Sequence, residues 1–575
     1  MSGSKYDVVL DLCRRRGLFY PSFEIYGGVA GLIDYGPIGA RLLVNLISLW
    51  RRMFVDSHPD LVYETESPAI TPHQVLESSG HVRSFADPVS RCTSCGRTFR
   101  ADHVLEEGGE LAEFMSLDEL RERFSKGVKC PVCGGLLGEP EVFNLLFKTT
   151  IGPYSDSVGY IRPETAQGMF TMFKRVFEAV REKRVFGLAQ VGKVGRNEVS
   201  PRQGPIRLRE FTQMELEMFF DPEEPSRSVP DVLDDEKLLL VDEKGSPIGE
   251  LRVREALNEG LIATPWLAYF MALGKKFVSQ LGIPDTEQRF LKVPARKLPH
   301  YSRQTWDQMV NVDRWGWVEV AGYSYRGDFD LVNHAKNSGA DFSVFKQLDK
   351  PVQVVKRAFK WDPNELRKHF GSKTGSVISR LKSASEEDIA SFESTGALNV
   401  EGAVITRPLI EVSQTVEEQH GKRYISHVVE PSFGVDRLFY AMLDHAYSVK
   451  EDRIVLKLPR EIAYPSVAVL PLMAKDGLDQ YARGLVKRLV QFGFTVTYDE
   501  EGAIGRRYAR LDEIGVPAAV TVDYDSLSEN TVTIRDRDSW RQVRVHSDEL
   551  VQKLRQFIYT YAEIASLGPL VPEKS

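Results

Sequence analysis

The sequence predicts a mixed α/β (α+β) protein of more than one domain, and three observations predict it. After Tyr464-Pro465 the chain alternates short apolar strands with amphipathic helices, the pattern of a small domain with a mixed sheet. Between Lys193 and Glu217 two strand-like runs flank a Ser-Pro-Arg-Gln-Gly-Pro turn, which predicts an antiparallel pair. Apolar residues at helical spacing, such as Leu42, Leu46, Leu49, Trp50 and Met53, supply helices to cover a sheet. A chain of 575 residues is also too long for a single core.

Taken in order, Arg41 to Phe54 predicts a helix that starts after Tyr35-Gly36-Pro37. Leu61 to Glu66 predicts a strand closed by Pro68 and Pro72, and the run from Thr165 through Lys174 predicts another helix. Two stretches, 222–300 and 343–422, interrupt the strand pattern as insertions within a domain spanning 1–464. The second contains Lys356, Arg357, Lys360, Arg367, Lys368, Lys373, Arg380 and Lys382, with Phe359, Trp361 and Phe370 between the charges. A solvated helical face and an RNA-facing insertion both fit that composition. From 465 to 575, strands at 466–472, 494–499, 517–524 and 531–536 alternate with helices at 479–493, 505–515 and 547–562.

Composition excludes several classes. Hydrophobic residues at 42% and charged residues at 27% are those of an ordinary globular chain. A net charge of -7 does not advertise nucleic acid, although a basic patch can sit on an acidic molecule. No apolar run approaches the roughly 20 residues of a membrane span, and Met1-Ser2-Gly3-Ser4-Lys5-Tyr6 opens no signal peptide. Five cysteines make no disulfide scaffold, so a cytoplasmic protein is expected. Four of them form two CxxC-G knuckles, Cys92/Cys95 and Cys130/Cys133, within 86–142. Four thiolates suit tetrahedral zinc, and four reduced thiols are the alternative. Cys13 stands alone as a buried or idle thiol.

The stretch GRNEVSPRQGPIRLREFTQMELEMFF, from Gly195 to Phe220, crowds arginines against carboxylates. In a strand, Phe211, Gln213, Glu215 and Glu217 point one way, and Thr212, Met214, Leu216 and Met218 the other. An antiparallel partner around Lys193 to Glu198 would bring Arg196 to the polar face. An arginine fork suits phosphate, an aromatic ring suits a purine, and a carboxylate suits an ammonium group. A second element, HVVEPSFGVDRLFYAMLDHAY, reads as a strand, a Glu-Pro-Ser turn and then a helix. Arg437 falls in that helix's first turn, where the dipole disfavours a cation and so suggests a partner anion.

These residues carry a resemblance. The chain resembles the class II aminoacyl-tRNA synthetases over nearly its whole length, and most closely the glycyl-tRNA synthetases of the archaeal/eukaryotic-like dimeric type. YGPIGARLLVNLISLWRRMFV with Pro72, the stretch opening at Gly195, and EPSFGVDRLFY match the three class motifs. SGHVRSFAD, RADH and RPETAQG match phrases of the glycyl enzymes, and GRRYARLDEIG with TVTIRDRD matches their anticodon-binding domain.

The resemblance implies an antiparallel-sheet catalytic domain, glycine, tRNA(Gly) and ATP as substrates, Mg2+ and a homodimer; the structural zinc is expected from the two knuckles, and no membrane partner from the apolar runs. It implies that Arg196 binds the α-phosphate, that Asn197 and Glu198 lie on the adenine side, and that Phe211 stacks on the base. Ile206, Arg207, Leu208, Arg209 and Glu210 would form the ATP-binding strand. Glu319 and Val320 would add an ATP position, with Glu319 a magnesium ligand. Gly434, Val435, Asp436 and Arg437 would complete the nucleotide site, and Arg196, Glu319 and Arg437 are the catalytic candidates. Glycine would lie among Arg100, Glu164, Phe211, Thr212, Gln213, Met214 and Glu215, with Glu430, Pro431, Ser432, Phe433 and Gly434 opposite. The arginines Arg506, Arg507, Arg510, Arg535 and Arg537 are expected to contact tRNA. A prolyl, threonyl or histidyl synthetase is the rival enzyme reading, and a non-catalytic relative is the rival from another class. RPETAQG, FTQMELE and EPSFGVDR argue against the first; retention of Arg196, Glu215, Ser432 and Arg437 argues against the second.

Overall fold

The computed structural model describes residues 4–107, 112, 115–153, 156–199, 201, 204–400 and 402–572. The chain divides into two compact units, Met1–Phe342 with Ser426–Ser575, and Ser343–Ile425.

The first unit is organised by a nine-stranded sheet. Helix α1 (Lys5–Arg15) is opened by a capping box on Ser4, and α2 (Pro37–Arg51) by Gly36 with proline in its first turn. Gly39 lies so close to Leu18 that an added Cβ would meet its carbonyl oxygen, which fixes how α2 seats. Then follow β1 (Val62–Glu64), α3 (Ala166–Ala179), β2 (Phe186–Gly195) and β3 (Glu210–Phe220). β4 (Lys237–Val241), β5 (Pro247–Arg252), α4 (Pro265–Gln280) and β6 (Gln288–Lys292) come next. β7 (Gln304–Val312), β8 (Gly316–Gly327), α5 (Phe329–Ser338), β9 (His427–Gly434) and α6 (Val435–Ala446) complete this part of the unit. The strand order is β5-β4-β6-β7-β8-β9-β3-β2-β1. Pairing is antiparallel except for β4 with β6 and β2 with β1. Strands from the stretch expected as an insertion at 222–300 thus extend the sheet, and α4 from the same stretch is almost wholly buried in its core.

The period-two pattern of β3 sorts the two faces as expected. Met214, Leu216 and Met218 join Phe433 of β9 in the core under α2, α4 and α6. Phe433 there packs against Trp50, Phe54, Phe277 and Tyr323. Cys13 is buried in the same core. The opposite face carries the polar residues.

One local expectation is corrected. The predicted Glu-Pro-Ser turn is strand: β9 runs unbroken through Pro431. Its proline lacks an N–H, and the ladder to β3 is interrupted between Glu215/Ser432 and Met218/Val429, where that loss is tolerated.

The C-terminal part holds β10 (Val467–Pro471), α7 (Leu478–Gln491), β11 (Val496–Tyr498), α8 (Ile504–Ile514), β12 (Ala518–Val522), β13 (Thr531–Asp536), β14 (Gln542–His546) and α9 (Leu550–Tyr559). Its sheet order is β11-β10-β12-β13-β14, parallel at β11-β10-β12 and antiparallel beyond. The strand Gln542–His546 was not foreseen, because its alternating Gln and Arg residues hide a short edge strand.

The second unit is a long two-stranded ribbon, Val344–Trp361 with Ile410–Tyr424, and a small helical core. Phe359 is buried in that core, with Trp361 and Phe370 packed against it. Arg357 pairs with Glu386 and Glu393, and Arg380 with Asp388. The aromatics between the basic residues are therefore packing groups, which removes the base-stacking argument for an RNA-facing surface.

Candidate active site

The polar face of β3, β9, β8 and β7 floors a cavity of about 250 Å³. β2 and β3 pair antiparallel with Lys193 opposite Thr212, and this carries Arg196 over the polar face. Its Nε donates to the Pro163 carbonyl at 3.1 Å. Its guanidinium lies 5.3 Å from the Phe211 ring and 5.4 Å from Phe85, so a cation and an aromatic plane meet at one end of the cavity. Arg202, in the turn between the strands, lies outside the described residues.

Arg437 lines the same end. Its Nε donates to the Ile206 carbonyl at 3.0 Å and its Nη1 to the Glu319 carbonyl at 2.9 Å, with the Glu319 carboxylate 3.2 Å away. The anion expected beside this first-turn cation is thus Glu319. Arg207 is paired with Glu198 at 2.7 Å. Arg209 is turned to backbone carbonyls of Glu198 and Ala30, outside the cavity lining. Val320, Leu208 and Gly434 line the cavity, as does Asp436, whose carboxylate accepts from the Thr212 N–H and the Tyr35 hydroxyl.

The other end is acidic, and its carboxylates Glu164, Glu215 and Glu430 are buried. Ser432 donates to Glu215 at 2.7 Å, and Glu215 also accepts from the hydroxyl and N–H of Thr165. Glu164 accepts from Gln167 at 2.9 Å and faces His81 at 3.4 Å. Arg326 of β8, fully buried, reaches Asp330, Glu430 and Glu164. Burial works against ionising these carboxyls, and the neighbouring charges decide between them. For Glu164 the charge and hydrogen bond of His81, the charge of Arg326 and the hydrogen bond from Gln167 overcome burial and hold it well below the usual carboxylate range. Burial, then repulsion from Glu164, raises Glu215. Burial pushes Glu430 up to about 7 in spite of Arg326. Glu217 is raised furthest by burial and by Glu430, and neither of its carboxylate oxygens has a hydrogen-bond partner among the described residues.

Of the residues foreseen for this face, Gln213, Glu215, Glu164, Glu430 and Ser432 line the cavity. Met214, Phe433 and Val435 belong to the apolar core. Asn197 and Glu210 lie outside the cavity lining, as do Thr212 and Pro431, and Glu210 is exposed beside Lys193. Arg100 does not line it either: its guanidinium forks onto Asp102 and reaches Asp87 at 3.2 Å. The sequence reading missed Tyr301, Asp307, His81 and Arg326. Asp307 and Glu319 lie on neighbouring strands, and burial followed by the Glu319 charge raises the Asp307 carboxyl.

In the knuckle region the four sulfurs of Cys92, Cys95, Cys130 and Cys133 lie within 4.8 Å of one another. Cys92–Cys133 is 3.5 Å and Cys95–Cys130 is 3.9 Å. Zn–S bonds of about 2.3 Å give tetrahedral edges of about 3.8 Å, so this donor set fits the ion. Gly96 and Gly134, at φ +69° and +72°, let each knuckle turn back on itself.

In the C-terminal part the expectation for the arginines is largely reversed. Arg507 is buried and donates to the carbonyls of Pro471, Leu472 and Asp499. Arg535 forks onto Asp512, and Arg537 holds the Gly515 and Leu458 carbonyls. Arg510 pairs with Asp499, and Arg506 is exposed.

Comparison with known proteins adds to this geometry. Residues 466–557 match the family model described as an anticodon binding domain. Among solved structures, a prolyl-tRNA synthetase from Cryptosporidium parvum, complexed with L-proline and AMP, is similar at a TM-score of 0.53. The match covers 98% of this chain and 77% of that one at 12% identity, and so speaks for the fold alone. The fold is that of the class II aminoacyl-tRNA synthetases, with an anticodon-binding domain at its C-terminal end. The glycine–tRNA ligase of Aeropyrum pernix is 49% identical over 100% of both chains. Those of Thermococcus gammatolerans and Pyrococcus furiosus are 42% and 41% identical over 96% and 97% of this chain, and over 99% and 100% of theirs. The chain belongs to the glycine–tRNA ligase family.

Proposed function

We propose that the cavity carries out the family's reaction with its two ends in separate roles. The chain is a glycine–tRNA ligase: it joins glycine to ATP as glycyl-adenylate, releases pyrophosphate, and passes glycine to the 3' end of tRNA(Gly). The observation that carries the division of labour is the single sheet face, with Arg196, Phe211 and Arg437 at one end and Glu164, Glu215, Glu430 and Ser432 at the other.

ATP lies at the arginine end in this reading, with adenine against Phe211 and Arg437 and the α-phosphate at Arg196. The ammonium of glycine enters the acidic end. Its carboxylate then attacks the α-phosphorus in line, the bond to pyrophosphate breaks, and Arg196 stabilises the charge gathered on the phosphate oxygens. The terminal ribose hydroxyl of tRNA next attacks the glycyl carbonyl, and AMP leaves. Glycine is selected by exclusion, because a missing methylene alone is worth only about 1–3 kcal/mol. The Ser432–Glu215 hydrogen bond closes the floor where a β-methyl would go.

Asp307 and Glu319 would hold Mg2+, a hard cation that prefers such oxygens and offsets phosphate charge when bound. Burial and then the Glu319 charge raise the Asp307 carboxyl, and a divalent cation would favour its ionised form. The knuckles would hold zinc as a structural ion. A homodimer is supported by the exposed apolar side chains Phe23, Ile25 and Tyr26 near α2 in sequence, and a cytoplasmic location goes with the family reading. Among the described residues no helix is long and apolar enough to cross a membrane.

Amino-acid-dependent exchange of pyrophosphate into ATP, run with each amino acid and no tRNA, tests the reading. Exchange with glycine alone is expected. Exchange with a different amino acid would overturn the pocket assignment.

A further inference from the structure

The Ser79-Gly80-His81 turn reaches the acidic end of the cavity from behind. Ser79 and His81 are both buried. The Ser79 hydroxyl lies 3.2 Å from the Leu76 carbonyl and 2.8 Å from the His81 Nδ1, and so fixes the plane of the imidazole ring. The other ring nitrogen, Nε2, faces the Glu164 carboxylate at 3.4 Å. A carboxylate accepts only, so this contact is favourable when Nε2 bears a hydrogen.

The turn itself is pinned. His300 Nε2 donates to the Ser79 carbonyl at 2.6 Å. Gly80 sits at φ +85°, and a Cβ there would meet the His300 ring at 2.6 Å. No side chain larger than hydrogen can place Ser79 and His81 in this way. Glu164 has Gln167 at 2.9 Å and Arg326 at 3.7 Å on its other oxygen. His81 is the partner of the oxygen that those two leave over.

We propose that His81 is a positioning residue for the glycine site: oriented by Ser79, it holds Glu164 aimed at the ammonium group of the substrate. The inference rests on the assignment of Glu164 to glycine made above. His81 does not line the cavity, so its effect passes through Glu164 and falls on glycine, not on ATP.

The test is pyrophosphate exchange with His81→Ala, His81→Gln, Ser79→Ala and Glu164→Gln, reading KM for glycine and for ATP separately. His81→Ala is expected to raise the glycine KM about tenfold with the ATP KM within about twofold. Ser79→Ala, which keeps the ring but frees its orientation, is expected to move the same parameter less. His81→Gln places an amide donor near the position of Nε2 and is expected to restore most of the loss. Equal rises in both KM values, or no rescue by glutamine, would overturn the role of His81. An unchanged glycine KM in Glu164→Gln would instead overturn the placement of glycine, which separates the two failures.

Discussion

Ser432 and Glu215 are joined across paired strands by a hydrogen bond of 2.7 Å, at the one register position where both side chains face the cavity. On that account Ser432→Ala opens the volume against which a methyl group would press. The variant is expected to lose about tenfold in kcat/KM for glycine, about 1.4 kcal/mol, and to activate alanine measurably. Pyrophosphate exchange with the two amino acids checks this; unchanged discrimination would contradict it.

The acidic end gives glycine binding a pH dependence of known sign. Burial pushes Glu430 up to about 7, and a carboxyl raised in this way gains its proton as pH falls through that value. The ionised form meets an ammonium group and the neutral form does not. The glycine KM is therefore expected to rise about tenfold between about pH 8 and pH 6. Glu430→Gln should flatten that rise, at the cost of a higher KM throughout.

At the other end, Arg437 and Glu319 lie 3.2 Å apart. Arg437→Ala is expected to raise the ATP KM and lower kcat about a hundredfold or more, with the glycine KM little changed. Steady-state exchange at varied ATP and glycine concentrations resolves the two.

The knuckle sulfurs predict a single zinc ion per chain. Metal analysis of the purified protein should find it, and Cys130→Ser should release it and lower Tm by several degrees, about the size of losing a small structural site. A protein of full stability without zinc would show that the four thiols serve unligated.

The buried pair Arg535–Asp512, 5% and 1% exposed, is structural in the C-terminal domain. Asp512→Asn leaves a buried guanidinium unbalanced and is expected to cost about 3–5 kcal/mol. Denaturant unfolding checks the size. A loss of tRNA affinity with no loss of stability would instead restore Arg535 to the RNA surface.

That pair shows what sequence could and could not reveal. The alternation from Phe211 to Glu217 was legible because a half-buried strand repeats every two residues. The phosphate end was legible because Arg196 and Phe211 sit close together in the chain and Arg437 falls in the first turn of a helix. Arg326, Asp307 and His81 were not: Arg326 meets Glu164 and Glu430, Asp307 meets the Glu319 charge and His81 meets Glu164 only through strand register or a turn. Arg507, Arg535 and Arg537 looked like a basic surface because composition does not distinguish a solvated arginine from one satisfied by carbonyls and a buried carboxylate. Pro431 looked like a turn because its missing N–H is tolerated only by a gap in the ladder that the sequence does not display.

The central claim is that one sheet face holds an ammonium at its carboxylates and a phosphate at its arginines. It is tested most directly by Glu215→Gln in pyrophosphate exchange, with KM measured for each substrate. The account predicts a glycine KM raised about tenfold or more and an ATP KM within about twofold of the parent. An unchanged glycine KM, or an equal rise in both, would contradict it.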